Sequence, residues 1–240
     1  MNMLSKESFN FMADLWANNS KAWFDLNRKR YEEHVHEPMK RLAESLHDPI
    51  STVLPELSAK PKMSRINNDI RFSPNKPPYK EHVWISFSKS SGCLTDIFIA
   101  IGRNGWSAGV GIGAPKRDPL DLWRCNLLAY QEIWRRYAKS IKLGTDVKIY
   151  IDNSYKKPLY PVIPDDLREL IQAKSVWLVE EAKPDFKHSP DVDCFRAFCK
   201  VIPIFLFMEI PVSELPSRLK QLGSVIEPPD KQVERVWDML

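Results

Sequence analysis

Leu94–Gly113, LTDIFIAIGRNGWSAGVGIG, is the stretch whose reading decides the fold. Leu94 to Ile101 is nearly continuous in apolar residues and short, the mark of a buried strand. Arg103-Asn104-Gly105 is a hairpin signal, because Asn-Gly supplies the positive φ angles that a tight turn needs. Beyond it Trp106, Ala108, Val110 and Ile112 alternate with Ser107, Gly109, Gly111 and Gly113, giving one apolar face and one of nearly bare backbone. Upstream, His82 to Ser88 alternates as well, with Val83, Ile85 and Phe87 on one side and Ser90-Ser91-Gly92 as the following turn. Residues 82–113 are therefore expected to form consecutive antiparallel strands. Glycine weakens a strand interior, so three on one face require either a closely packed element or a ligand there.

Helices flank this block. Ser5 and Ser20 are N-cap candidates, with Phe9, Met12, Leu15 and Trp16 striping the first helix. Tyr31, Val35, Met39, Leu42 and Leu46 stripe the second, with a kink or break expected at Pro38. Pro49 to Pro61 reads as a loop. Asp118-Pro119 opens a helix expected to run to Lys142, ended by Gly144. Val147–Ile151 and Ser175–Glu181 read as strands, Asp165–Gln172 and Pro216–Leu222 as short helices. Asp191 or Asp193 caps a helix, and periodicity leaves open whether Val201–Met208 continues it or forms a strand. The fold class expected is α+β, N-terminal helices packed on a mainly antiparallel sheet, as a single domain over 1–240.

Composition narrows the function classes. The longest wholly apolar run, Val201 to Met208, is far short of the roughly 20 residues that a membrane helix needs. The N-terminus lacks the basic and apolar regions of a secretory signal, and the four cysteines show no CxxC spacing, so a reduced, cytoplasmic setting is expected. Net charge is +4, yet Lys60 to Lys80 holds six bases against one acid, Asp69. The rest of the chain is close to neutral. A broad basic surface for nucleic acid is not indicated; a local anion site is. Oligomeric state is not legible.

That basic stretch contains Arg65–Lys80, RINNDIRFSPNKPPYK. Read as an extended strand, Arg65, Asn67, Asp69 and Arg71 share one face while Ile66, Ile70 and Phe72 bury on the other. Pro74, Pro77 and Pro78 then stop it. Arginine offers a planar fork suited to carboxylate or phosphate, and lysine adds point charge. Asp69 beside Arg71 stays ionised and orients the arginine. Tyr79, between Lys76 and Lys80, is the acid/base candidate if the site is catalytic.

With Asn18-Asn19, Trp23-Phe24 and GWSAGVGIG, this stretch resembles a widespread family of bacterial and fungal proteins known as a conserved domain of unknown function. The family pattern R-I-x-x-D-x-R-F-S-x-x-K-x-P-Y-K is met by Arg65, Asp69, Arg71, Phe72, Lys76, Pro78, Tyr79 and Lys80. The resemblance is clearest over about residues 9–140; a glycine and a His-Pro pair usual in the family are missing where this chain has Leu159 to Asp166. It implies a shared fold and site, and no activity.

Other motifs carry less. Gly105-Trp106-Ser107-Ala108-Gly109 matches the nucleophile elbow, but glycines and Pro115 follow where a helix must. Gly109-x-Gly111-x-x-Ala114 lacks a helix at its end. His34 and His36 diverge on a helix, and the cysteines offer no zinc geometry, so neither a metal nor a cofactor is expected. The function expected is binding of a small anionic or phosphate-bearing ligand through Arg65, Asp69, Arg71, Lys76 and Lys80, with Gly109 and Gly111 bordering the same concave pocket. The alternatives are an enzyme using that pocket with Tyr79 as acid/base, or a structural or partner-binding domain.

Overall fold

A computed structural model describes residues 3–71, 75–88, 95–113, 117–187 and 189–223, at 117 and 118 the backbone alone. The fold is α+β with a six-stranded antiparallel sheet. In chain order the helices α1 (Lys6–Ala17), α2 (Lys21–Tyr31) and α3 (Glu37–Val53) precede the strands β1 (Lys62–Met63), β2 (His82–Phe87), β3 (Asp96–Gly102) and β4 (Gly105–Ile112). Then come α4 (Arg117–Ala129), α5 (Gln131–Ser140), β5 (Val147–Tyr150), α6 (Arg168–Gln172), β6 (Val176–Ala182), α7 (Pro190–Glu209) and α8 (Leu215–Gly223). The strands are ordered β1-β2-β3-β4-β6-β5, so β2, β3 and β4 are consecutive neighbours as their alternation predicts. The Ser90-Ser91-Gly92 turn and Leu94 lie outside the described residues. Gly105 closes the β3–β4 turn at φ 129°, and a Cβ there would strike the Ala182 carbonyl, so only glycine fits.

The chain packs as two compact units, one from Met1–Ser90, Phe98–Ala108 and Glu181–Phe195, the other from Ser91–Ile97, Gly109–Glu180 and Arg196–Leu240. In the first, Ser20 caps α2 by accepting the Trp23 amide at 3.3 Å. The break expected at Pro38 is a π-helical turn, Glu32–His36, just ahead of it. Proline removes an amide from the ladder, and the wider turn absorbs the loss. α3 runs through Pro49 to Val53, which corrects the loop expected from Pro49: Ile50 is buried and carries the helical stripe onward. Phe11, Phe24 and Tyr31 form the aromatic centre of this unit, with ring centroids 5.3–6.4 Å apart. Asp191 does not cap α7 from outside. It lies inside the first turn, and its carboxylate accepts the Met3 and Leu4 amides at 2.6 and 2.8 Å.

The second unit centres on Trp123, Trp134 and Phe207, edge to face at 5.0–6.4 Å. The single helix expected from Asp118 begins at Arg117 and is broken at Tyr130, whose hydroxyl donates to the Val212 carbonyl at 2.6 Å. The segment that periodicity left open is helix: Val201 to Met208 are buried on every side of α7, and a helix buried all round shows no stripe. Buried Asn126 donates to the Phe207 and Ile210 carbonyls, at 2.9 and 2.8 Å, where α7 ends and its carbonyls need partners.

Candidate functional site

The described residues of the Arg65–Lys80 stretch, 65–71 and 75–80, form a backbone-clasped loop and not the strand that the alternation predicts. Pairing shrinks to one antiparallel bridge, Asn67 with Tyr79. The Asn68 amide donates to the Pro78 carbonyl and the Lys80 amide to the Ile66 carbonyl, both at 2.8 Å. Pro77 and Pro78 have no amide to give, so no ladder forms alongside them. Side-chain amides substitute for it. Asn68 Nδ2 donates to the carbonyls of Pro77 and Tyr79 at 2.8 and 2.9 Å. Asn19, between α1 and α2, donates to the Tyr79 carbonyl at 2.9 Å and accepts the Tyr79 amide at 3.0 Å, as a neighbouring strand would. In sequence Asn18-Asn19 reads as the break between the first two helices and as part of the resemblance; neither reading names Tyr79 as its partner.

The loop's burial follows from that clasp. Ile66 is buried, Ile70 is 44% exposed, and Phe72 lies outside the described residues. Tyr79 is 4% exposed, its ring stacked on Phe24 at 4.2 Å and 20°. That is the position of an anchor for the loop.

The charges sit outward. Arg71 forks Asp69, Nε to Oδ1 at 2.9 Å and Nη2 to Oδ2 at 2.6 Å, and its own amide adds a third bond at 3.1 Å. Those bonds hold the Asp69 carboxyl below the usual carboxylate range, so the aspartate orients the arginine. The Lys80 ammonium donates to the Arg65 carbonyl and lies 4.8 Å from the Trp84 ring centroid. Its pKa is pulled down, first by partial burial and then by the like charges of Lys76 and Arg65. Two cations of the loop thus act on a third.

The glycines behave differently. Gly109 and Gly111 are buried in β4. A Cβ at Gly111 would lie 2.5 Å from the Trp177 ring and 2.6 Å from the Val176 carbonyl oxygen, both on β6. The indole rests on bare backbone, the arrangement that glycine in a sheet permits. At Gly113 the same ring is 3.7 Å away, ordinary contact. The space over Gly111 is filled by Trp177, so the pocket expected beside it is replaced by packing there. Ser107 lies within β4, with strand and no helix after it.

Metal-ligand convergence among the described residues is confined to Glu32, His36 and Glu37. His36 Nδ1 lies 3.2 Å from Glu32 Oε2 and 3.4 Å from Glu37 Oε1. An i→i+5 turn brings position i beneath both i+4 and i+5, which is how one π-helical turn gathers all three. The glutamates face solvent, and the group is an ion pair whenever His36 is protonated. Burial pushes the Cys199 thiol up to about 11 and Cys194 further, the behaviour of inert core thiols.

Residues 7–200 match a family described as "Conserved hypothetical protein (DUF2461)", and the chain belongs to that family. The match extends beyond the 9–140 stretch of clearest resemblance, through β6 and into α7, and includes Leu159 to Asp166. None of the curated proteins matches the chain. Among the described residues no helix is long and apolar enough to cross a membrane.

Proposed function

We propose that the Arg65–Lys80 loop binds a small anionic or phosphate-bearing ligand through Arg65, Lys76 and Lys80, with Arg71 at its rim. The observation that carries this reading is the gathering of the loop's cations: the Lys80 ammonium is held on the Arg65 carbonyl, where the charges of Arg65 and Lys76 act on it, while the loop's one acid, Asp69, is engaged by Arg71. Like charges held together by a clasped backbone repel, and a bound anion relieves that repulsion. The clasp also fixes the loop before the ligand arrives, which lowers the ordering cost of binding. Thermal unfolding in phosphate, pyrophosphate and sulfate tests it. At a hundredfold excess over Kd the melting temperature of the wild type rises by roughly 5–10 °C, and the double variant Arg65→Ala/Lys76→Ala loses the rise. A wild type indifferent to all three anions overturns the proposal.

A further inference from the structure

The residues beside the loop narrow the ligand class, an inference that rests on the anion reading above. β2 sends Val83, Ile85 and Phe87 into the core and leaves His82, Trp84 and Ser86 on the opposite face. Trp84 is half-buried and His82 exposed, their rings 5.3 Å apart and tilted by 40°. The surroundings of Trp84 are cationic and polar. The Lys80 ammonium lies over its ring at 4.8 Å, Ser64 Oγ accepts its amide at 3.1 Å, and Lys62 faces Ser86 across the β1–β2 pair. The adjacent acid, Glu81, is taken by Arg103 at 3.4 Å. A tryptophan on this face contributes less to the core than its β2 neighbours, yet it adjoins Lys80, the cation on which Lys76 and Arg65 act.

We propose that the ligand is a nucleoside phosphate, its base stacked on Trp84 beside His82 and its phosphates held by Lys80, Arg65 and Lys76. Every base presents a π face, so an indole next to positive charge suits a phosphate that carries a planar ring. Lys80 connects the two halves. Its ammonium turns from the indole onto phosphate, exchanging a cation–π contact for charge-assisted hydrogen bonds, and frees that part of the ring for the base. His82 supports this arrangement: desolvation by the atoms packed around its ring lowers its pKa, Glu81 opposes this and Lys80 adds to it, so at neutral pH an uncharged imidazole flanks the stacking position. Inorganic phosphate satisfies the cations and leaves the ring unused.

Calorimetric titration with pyrophosphate, ADP and adenosine separates the outcomes. ADP binds the wild type roughly tenfold tighter than pyrophosphate, and adenosine alone binds weakest. Trp84→Ala removes the ADP advantage and leaves pyrophosphate unchanged, while Trp84→Phe, which keeps a ring and a packed strand, retains most of it. Equal affinity of the wild type for ADP and pyrophosphate overturns the nucleoside inference and leaves the anion reading standing. Trp84→Ala weakening both ligands alike also overturns it, since the indole then only supports the loop. If neither anion binds, the reading beneath it falls too.

Discussion

Two stretches of this chain are odd as sequence, the basic loop Arg65–Lys80 and the glycine face of β4, and the structure treats them in opposite ways. The loop keeps its charges at the surface on a backbone tied down by Asn19 and Asn68. The glycine face is covered, with the Trp177 indole lying against Gly111. The difference follows from what each residue type costs to bury. Charge taken from water needs a partner for every group, so an excess of charge in sequence points outward. A missing side chain carries no such cost, and it announces only that something comes close. Close packing and a ligand are equally good tenants of the space.

The largest effect should come from testing that tenancy. Gly111→Ala places a methyl 2.5 Å from the Trp177 ring and 2.6 Å from a backbone oxygen, and the backbone cannot step aside as a flexible side chain would. Denaturant unfolding should show a loss of roughly 3 kcal/mol. Gly113→Ala, with its nearest neighbour at 3.7 Å, should stay within about 0.5 kcal/mol of wild type. Equal, small losses at both positions would mean that Trp177 yields easily, and the contrast between the two stretches would lose its packing half.

Next in size is the clasp. Asn19→Ala removes one donor and one acceptor from the Tyr79 backbone, and Tyr79 is buried against Phe24. Two lost hydrogen bonds at a part-buried backbone should cost about 2 kcal/mol, with faster amide exchange at Asn68 and Lys80 as the loop loosens. Exchange that rises across the whole first unit instead would show that Asn19 serves the core and not the loop.

What was legible in sequence follows the same division. The strands of residues 82–113 could be read because alternation and an Asn-Gly turn are local signals, and β2, β3 and β4 obey them. Over the described residues Arg65–Arg71 the expected strand failed because the segment facing it carries Pro77 and Pro78, and a strand needs amides opposite it as much as its own alternation. The ligand for the Tyr79 backbone comes from Asn19, sixty residues away in sequence, a pairing that no local pattern announces. The fate of Val201–Met208 was hidden for another reason: uniform burial erases periodicity, so helix and strand look alike. Trp177 over Gly111 was equally out of reach, since the glycines fix the need for a neighbour and the sheet order β4-β6 supplies its identity.

The smallest effect on stability should be the most informative about charge. Asp69→Asn breaks an exposed fork and should leave the unfolding transition where it is, because surface ion pairs contribute little. It should nevertheless change binding. With its carboxylate gone, the loop loses its one negative charge, and sulfate affinity should rise, by roughly fivefold at most. The pH dependence has a definite sign. Arg71 holds Asp69 below its ordinary pKa, so the wild-type fork persists through mild acid and opens only as pH falls past that lowered value. Sulfate stays a dianion through mild acid, so its affinity for the wild type should begin to climb as the carboxylate starts to protonate, while Asp69→Asn should be tighter already and flat over the same range. If the variant binds sulfate no better than wild type, Arg71 is occupied elsewhere, and the loop's binding charge is confined to Arg65, Lys76 and Lys80.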